Sequence, residues 1–273
     1  MKERLEGLYQ AYNRREFVHP DPLELLYEYD DPRDQEIVGL LAACLAYGRV
    51  TQILASIRTV LNGMDRAAGV SPRAFLERAS PHELVEMFGG FRHRFTPGRE
   101  VSSLLLGIKR AIETRGSLEE LFAGGLDRDD DSILPALAAF VGRLRDLAGG
   151  SAACPSLLSS PADGSACKRL NLYLRWMARR DAVDPGPWRA VSPALLIVPL
   201  DTHLFRIAGM LRLTARRQPN LKTAVDVTRA FARVCPEDPV RYDFSLTRLG
   251  INPSLGAPSA QARLAYLPSR RAR

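Results

Sequence analysis

Apolar residues along this chain recur at three- and four-residue intervals, the period of amphipathic helices. Leu134, Leu137, Phe140, Val141 and Leu144 make one such stripe, and Leu221, Ala224, Val225, Thr228, Phe231 and Ala232 make another. From Ala166 to Arg179, Leu170, Tyr173, Leu174 and Met177 share a face that should meet a core, with Lys168, Arg175 and Arg179 on the opposite side as either a solvated face or a basic strip lining a cleft. Helix punctuation is frequent: Asp21-Pro22, Asp30-Asp31-Pro32, Ser71-Pro72, Ser80-Pro81, Thr96-Pro97, Asp131-Ser132, Asn220 and Asp238-Pro239 all read as caps followed by first-turn residues. The one strand-like run, Leu195 to Val198, is too short and isolated to make a sheet. These patterns predict an all-α fold. The Gly-, Ser-, Ala- and Pro-rich stretch from Gly149 to Gly164 reads as the longest linker, joining the Leu134 helix to the one that carries Lys168.

Two helix starts carry the candidate chemistry. Lys168 follows the turn-forming run Ser159-Ser-Pro-Ala-Asp-Gly-Ser165, which places it in a first turn, where unpaired backbone N–H groups disfavour the ammonium form. A lysine that loses its proton more easily is a better nucleophile. Asp201 follows Leu195-Leu-Ile-Val198 and Pro199-Leu200, immediately before a helical stretch from Thr202 to Leu211. Alone it reads as an N-cap, a role compatible with catalysis because a cap holds the carboxylate in one rotamer. An amine and an ionised carboxylate are the minimum equipment for attack at a sugar C1′, the carboxylate stabilising oxocarbenium-like charge while the amine forms a Schiff base.

Ser165-Ala-Cys-Lys-Arg-Leu170 and Pro199-Leu-Asp-Thr-His203 together resemble the helix-hairpin-helix DNA glycosylase superfamily, over residues 155 to 250. The separation of 33 residues between Lys168 and Asp201 is longer than in the endonuclease III branch and more similar to the archaeal 8-oxoguanine glycosylase branch. Gly39-Leu-Leu-Ala-Ala-Cys-Leu-Ala-Tyr-Gly-Arg49, Cys167-Lys-Arg-Leu-Asn171, Asp184-Pro-Gly186 and Asp238-Pro-Val-Arg-Tyr-Asp-Phe244 also resemble a bacterial family named domain of unknown function 2400, from about residue 5 to 253. The glycosylase resemblance implies a two-domain fold: a helical barrel over 37–180 ending in the hairpin, and a second helical domain from 1–36 and 181–257. Residues 258–273 would follow as a basic tail. It implies Lys168 and Asp201 as catalytic residues, and a hairpin that grips phosphate through the backbone N–H groups of Gly164, Ser165 and Ala166, with Arg169 adding charge and Arg175 as a further DNA-binding residue. One departure stands out: the usual hairpin puts lysine two residues after its second glycine, whereas Gly164 precedes Lys168 by four.

Such an enzyme must extrude the target nucleotide into a pocket. Tyr47, Arg49, Gln52, Trp176 and His203 are the candidate pocket residues, and Trp188, Phe205, Tyr242 and Phe244 are further aromatics for which core packing is the simpler role. Four histidines and four cysteines show no metal-ligand spacing, so no metal and no cofactor is expected, and disulfides are not expected either.

Lys and Arg outnumber Asp and Glu by 38 to 31, a net charge of +7 that favours an acidic partner such as nucleic acid. No apolar run is long enough for a membrane helix and the first residues lack a signal-peptide core, so a cytoplasmic, nucleoid-associated monomer is expected. The leading expectation is a base-excision glycosylase with apurinic-site lyase activity on double-stranded DNA carrying a damaged base, an oxidised purine by branch resemblance. The alternatives are a non-catalytic DNA-binding or damage-sensing protein of the same architecture, and a helical protein-interaction module.

Overall fold

The computed structural model describes residues 1–251, and within them the chain is mostly helical. Helix α1 (Lys2–Tyr12) leads through two 3-10 turns, Arg15–Phe17 and Pro22–Glu28, into α2 (Pro32–Leu45), α3 (Val50–Ala68), α4 (Pro72–Arg78) and α5 (Pro81–Phe88). A small hairpin of β1 (Arg92–His93) and β2 (Thr96–Pro97) precedes α6 (Gly98–Arg115), α7 (Leu118–Ala123) and α8 (Leu134–Leu147). Then come α9 (Lys168–Ala178), α10 (Thr202–Met210), α11 (Leu221–Ala232) and α12 (Asp243–Ile251). The expected basic tail, 258–273, lies outside the described residues.

α2 is the central helix because from Ile37 to Leu45 its sequence leaves it no polar side to give to water. Every residue from Glu36 to Leu45 is buried, as expected of a helix apolar all round. α9, α3, α4 and the Pro22–Glu28 turn pack around it. Gly39 permits the closest of these approaches, since a Cβ there would lie 2.9 Å from Met177 Cε and 3.3 Å from Tyr173 Cε2 on α9. Leu170, Tyr173, Leu174 and Met177 all reach the core from α9, as their spacing predicts. α12 packs on both α10 and α1, so the two ends of the described chain meet.

The cap reading succeeds where side-chain oxygen and helix start coincide. Asp21, Asp31, Ser71, Ser80 and Asn220 each accept a backbone N–H at the start of a helical segment. Three expected caps serve otherwise. Thr96 belongs to β2 and the helix after it starts without a side-chain cap. α8 begins after Ile133 rather than Ser132, also uncapped. Asp238 stands in a turn and binds Arg179 at 2.8 Å.

The 149–164 stretch joins α8 to α9, as expected, and it is anchored along its length: Cys154, Leu157, Leu158 and Ser160 are buried. A buried carboxylate and a partly buried guanidinium hold its backbone: Glu100 Oε2 accepts from the Ser156 N–H at 2.9 Å, and Arg145 Nη2 donates to the Leu158 carbonyl at 2.6 Å. Small residues here let the chain pass close to α6 and α8 rather than swing free.

Candidate functional site

Asp201 is delivered by an anchored extended run. Leu196, Ile197, Val198 and Leu200 are buried. The Leu195 carbonyl accepts the Ile133 N–H at 2.9 Å, and the Val198 N–H donates to Thr228 Oγ1 at 3.0 Å. Asp201 then caps α10, its Oδ1 accepting the Leu204 N–H at 2.7 Å. One carboxylate oxygen is thereby committed to the backbone, and the other is the one nearest Lys168.

Lys168 is the first residue of α9, and the turn before it is built tightly. Gly164 (φ 74°) and Cys167 (φ 46°) are both left-handed. Cys167 is buried, its N–H donating to Ser165 Oγ at 3.1 Å, while Asn171 Nδ2 donates to the Ala166 carbonyl at 3.0 Å. No side chain of the N-cap residue, Cys167, caps α9.

The two helix starts converge. Lys168 Nζ stands 4.0 Å from Asp201 Oδ2, with the lysine side chain 43% exposed and the aspartate 18%. That gap is too long for a hydrogen bond. A half-exposed pair at this distance contributes only about 0–1 kcal/mol to stability. The lysine remains in contact with water.

The other basic residues of α9 correct the expected cleft strip. Arg175 is buried, with Nη1 2.5 Å from Asp243 Oδ2 and Nη2 3.2 Å from Asp184 Oδ1. Arg179 is buried too, bound to Asp181 at 2.7 Å, to Asp238 at 2.8 Å and to Asp184. Burial works against both guanidinium charges, but the surrounding carboxylates outweigh it and raise both pKa values. Burial raises Asp184 and Asp238. It also lifts the Asp243 carboxyl to about 6, with Arg175 opposing and the charge of Asp201 reinforcing the rise. Arg175 therefore has no free face for a phosphate.

Arg169 is likewise engaged within the chain. It donates to the Cys44 carbonyl at the end of α2 and to the Ser156 carbonyl at 2.6 Å, and its guanidinium lies 5.2 Å from the Tyr47 ring centroid. It ties the start of α9 to α2 and to the 149–164 stretch. The Gly164 N–H donates to the Pro161 carbonyl at 3.0 Å, which removes it from the expected phosphate grip, and Ser165 Oγ serves the turn.

Of the candidate pocket residues, Trp176 is fully buried and walls no cleft. Arg49, Gln52 and His203 are exposed, His203 within the first turn of α10. Tyr47 is half-buried beside Arg169, and its hydroxyl donates to the His93 carbonyl at 2.9 Å. The further aromatics Trp188, Tyr242 and Phe244 are core residues, and Phe205 packs partly buried against that core. Among the described residues no group of three His, Cys, Asp or Glu could hold a metal, the four cysteines are free and buried, and no helix is long and apolar enough to cross a membrane.

A family model described as a protein of unknown function, DUF2400, matches residues 21–252. The chain belongs to the DUF2400 family. No curated protein and no solved structure matches it. The matched span takes in α9, the run before Asp201 and the buried arginine network, so both charged clusters of this DUF2400 chain lie inside it. Sequence reasoning missed Asp243, which neighbours the site electrostatically, and the hairpin at 92–97, whose buried His93 and Thr96 hold Tyr47 in place. The signal for the first was the clustering of aspartates around Asp184-Pro185 and Asp238-Pro239. For the second it was an aromatic set among basic residues, Arg92-His93-Arg94-Phe95.

Proposed function

We propose that this chain is a base-excision DNA glycosylase with apurinic-site lyase activity, Lys168 acting as nucleophile and Asp201 as its electrostatic and proton-handling partner. The observation that carries the reading is the convergence of Nζ and Oδ2 to 4.0 Å on an accessible surface, with Oδ1 fixed by the Leu204 N–H. A pair built for stability would close to hydrogen-bonding distance. This one leaves the amine unbonded and open to a sugar carbon arriving from outside, with the carboxylate beside it.

In the proposed reaction the neutral amine attacks C1′ of an extruded nucleotide. The N-glycosidic bond breaks and the base leaves with the bonding pair, taking up a proton. Asp201 stabilises the positive charge that develops on the sugar and accepts the proton lost by Nζ. Opening of the sugar ring gives a Schiff base, and removal of a C2′ proton then expels the 3′ phosphate. The glycosylase resemblance points to an oxidised purine in duplex DNA as substrate. It also points to a monomer in the cytoplasm, with a helical barrel ending at about residue 180 and a second helical domain that joins the chain ends; the expected boundary between residues 36 and 37 falls inside α2 (Pro32–Leu45), so that helix belongs whole to one domain. The packing of α1 on α12 supports the latter pairing of chain ends.

Sodium borohydride trapping on duplexes carrying abasic sites and a panel of oxidised bases tests the mechanism. Wild-type protein should give a covalent adduct that Lys168→Gln abolishes. Affinity for these duplexes without trapping would assign the non-catalytic, damage-sensing role instead.

A further inference from the structure

Among the described residues Phe95 is the most exposed large hydrophobic side chain, at 80%. It is not on a loose loop. Arg92 pairs with Pro97 and His93 with Thr96, which makes Arg94 and Phe95 the two residues of a tight turn. Arg94 occupies the left-handed region at φ 51°, a conformation that a non-glycine residue keeps only when its surroundings impose it. The Arg92 Nε–H bonds the Arg94 carbonyl at 3.3 Å, and the Arg94 side chain folds over Gly48, where a Cβ would fall 2.7 Å from its Cδ.

The inner side of the hairpin is held by a dense set of contacts. His93 lies within hydrogen-bond distance of the Tyr47 carbonyl through Nε2 (3.0 Å) and of Ser56 Oγ through Nδ1 (2.9 Å). Thr96 Oγ1 meets Tyr47 Oη at 2.6 Å and Ser156 Oγ at 2.5 Å. Ser156 and the Tyr47 ring both contact Arg169, the residue next to Lys168. A rigid basic tip with one outward aromatic ring is thus coupled, through two contacts, to the start of α9. No carboxylate stands within residues 92–97.

We propose that this hairpin contacts nucleobases, the Phe95 ring stacking on a base of bound DNA beside the nucleotide presented to Lys168 while Arg92 and Arg94 hold flanking phosphates. An aromatic ring flanked by guanidinium groups suits this partner because every base offers a π-face and every nucleotide a charge. The inference rests on the DNA-binding part of the proposed function.

The test is fluorescence anisotropy of the full chain on a duplex oligonucleotide containing a tetrahydrofuran abasic analogue, measured across a salt series. Phe95→Ala should weaken binding about 5- to 150-fold, the range found for loss of one stacked base, with the salt slope unchanged because no charge is lost. Arg92→Gln and Arg94→Gln should each lower the slope by about 1. Phe95→Trp should retain affinity, and its exposed emission should be quenched on binding. Thermal unfolding of Phe95→Ala should match wild type, since its ring is exposed. Equal affinity for Phe95→Ala and wild type, an unquenched Phe95→Trp, or a Phe95 effect confined to self-association in sedimentation would each overturn the inference. Borohydride trapping is read separately: trapping without Phe95 dependence overturns the hairpin alone, and Phe95-dependent binding without trapping overturns the catalytic reading alone.

Discussion

Lys168 and Arg175 lie on one helix, seven residues apart, and each faces a carboxylate. At Lys168 the partner is 4.0 Å away and the side chain is 43% exposed. At Arg175 the nearest partner is 2.5 Å away and the side chain is buried. Two turns of helix carry the same kind of charge pair from an open surface to the interior. In the interior each charge depends on its partners, because an unpaired buried ion is strongly destabilising. At the surface, water screens the pair and the amine is available to something outside the protein. Charge pairs seen together on one helix therefore divide into those that hold the fold and those that the fold holds out.

That division can be broken first at its buried end. Asp184 is fully buried and bridges both Arg175 and Arg179. Asp184→Ala leaves two buried guanidinium groups short of a partner and should cost about 3–5 kcal/mol, read as a lower urea midpoint in far-ultraviolet circular dichroism.

Asp243 gives an intermediate effect with a definite sign. Its carboxyl is raised from 3.8 to about 6 by burial, against Arg175 and with Asp201. A raised carboxyl pKa favours the folded state fully below the unfolded value and loses that contribution as pH rises through about 6. Wild type should therefore lose stability relative to Asp243→Asn between pH 4 and pH 7, with a slope of up to about 1.4 kcal/mol per pH unit. Equal slopes for the two proteins would remove Asp243 from the account.

The exposed pair should respond least. Lys168→Gln should change unfolding free energy by less than about 1 kcal/mol, although the same substitution abolishes the trapped adduct. A loss of several kcal/mol there would recast Lys168 as a structural residue.

How far the sequence alone foretold these outcomes depends on the range of the interaction involved. Asp201 was legible as a cap because the oxygen and the N–H it accepts are three residues apart. Lys168 was legible as a first-turn residue because the glycine and serines before it are turn formers. Arg175 and Trp176 were not, since helical periodicity separates faces but does not say that both will be covered. α9 is packed against α2 on its apolar side, and Asp184 and Asp243 cover Arg175 on its charged side. The 149–164 stretch was legible as a connection between two helices but not as an anchored one, for a related reason: small residues mark a linker in sequence and a close approach when large neighbours surround them.

Local chemistry thus determined the helical character of the chain, about half of its helix starts, the apolar face of α9 and the two residues at which an amine and a carboxylate could be presented. Only tertiary packing decided that those two groups, 33 residues apart, would stand 4.0 Å from each other, that Arg169 and Arg175 would turn inward, and that Phe95 would be left outside. The physical reason is that caps and periodicity act over three or four residues, whereas burial is a property of whichever distant segment arrives to exclude the water.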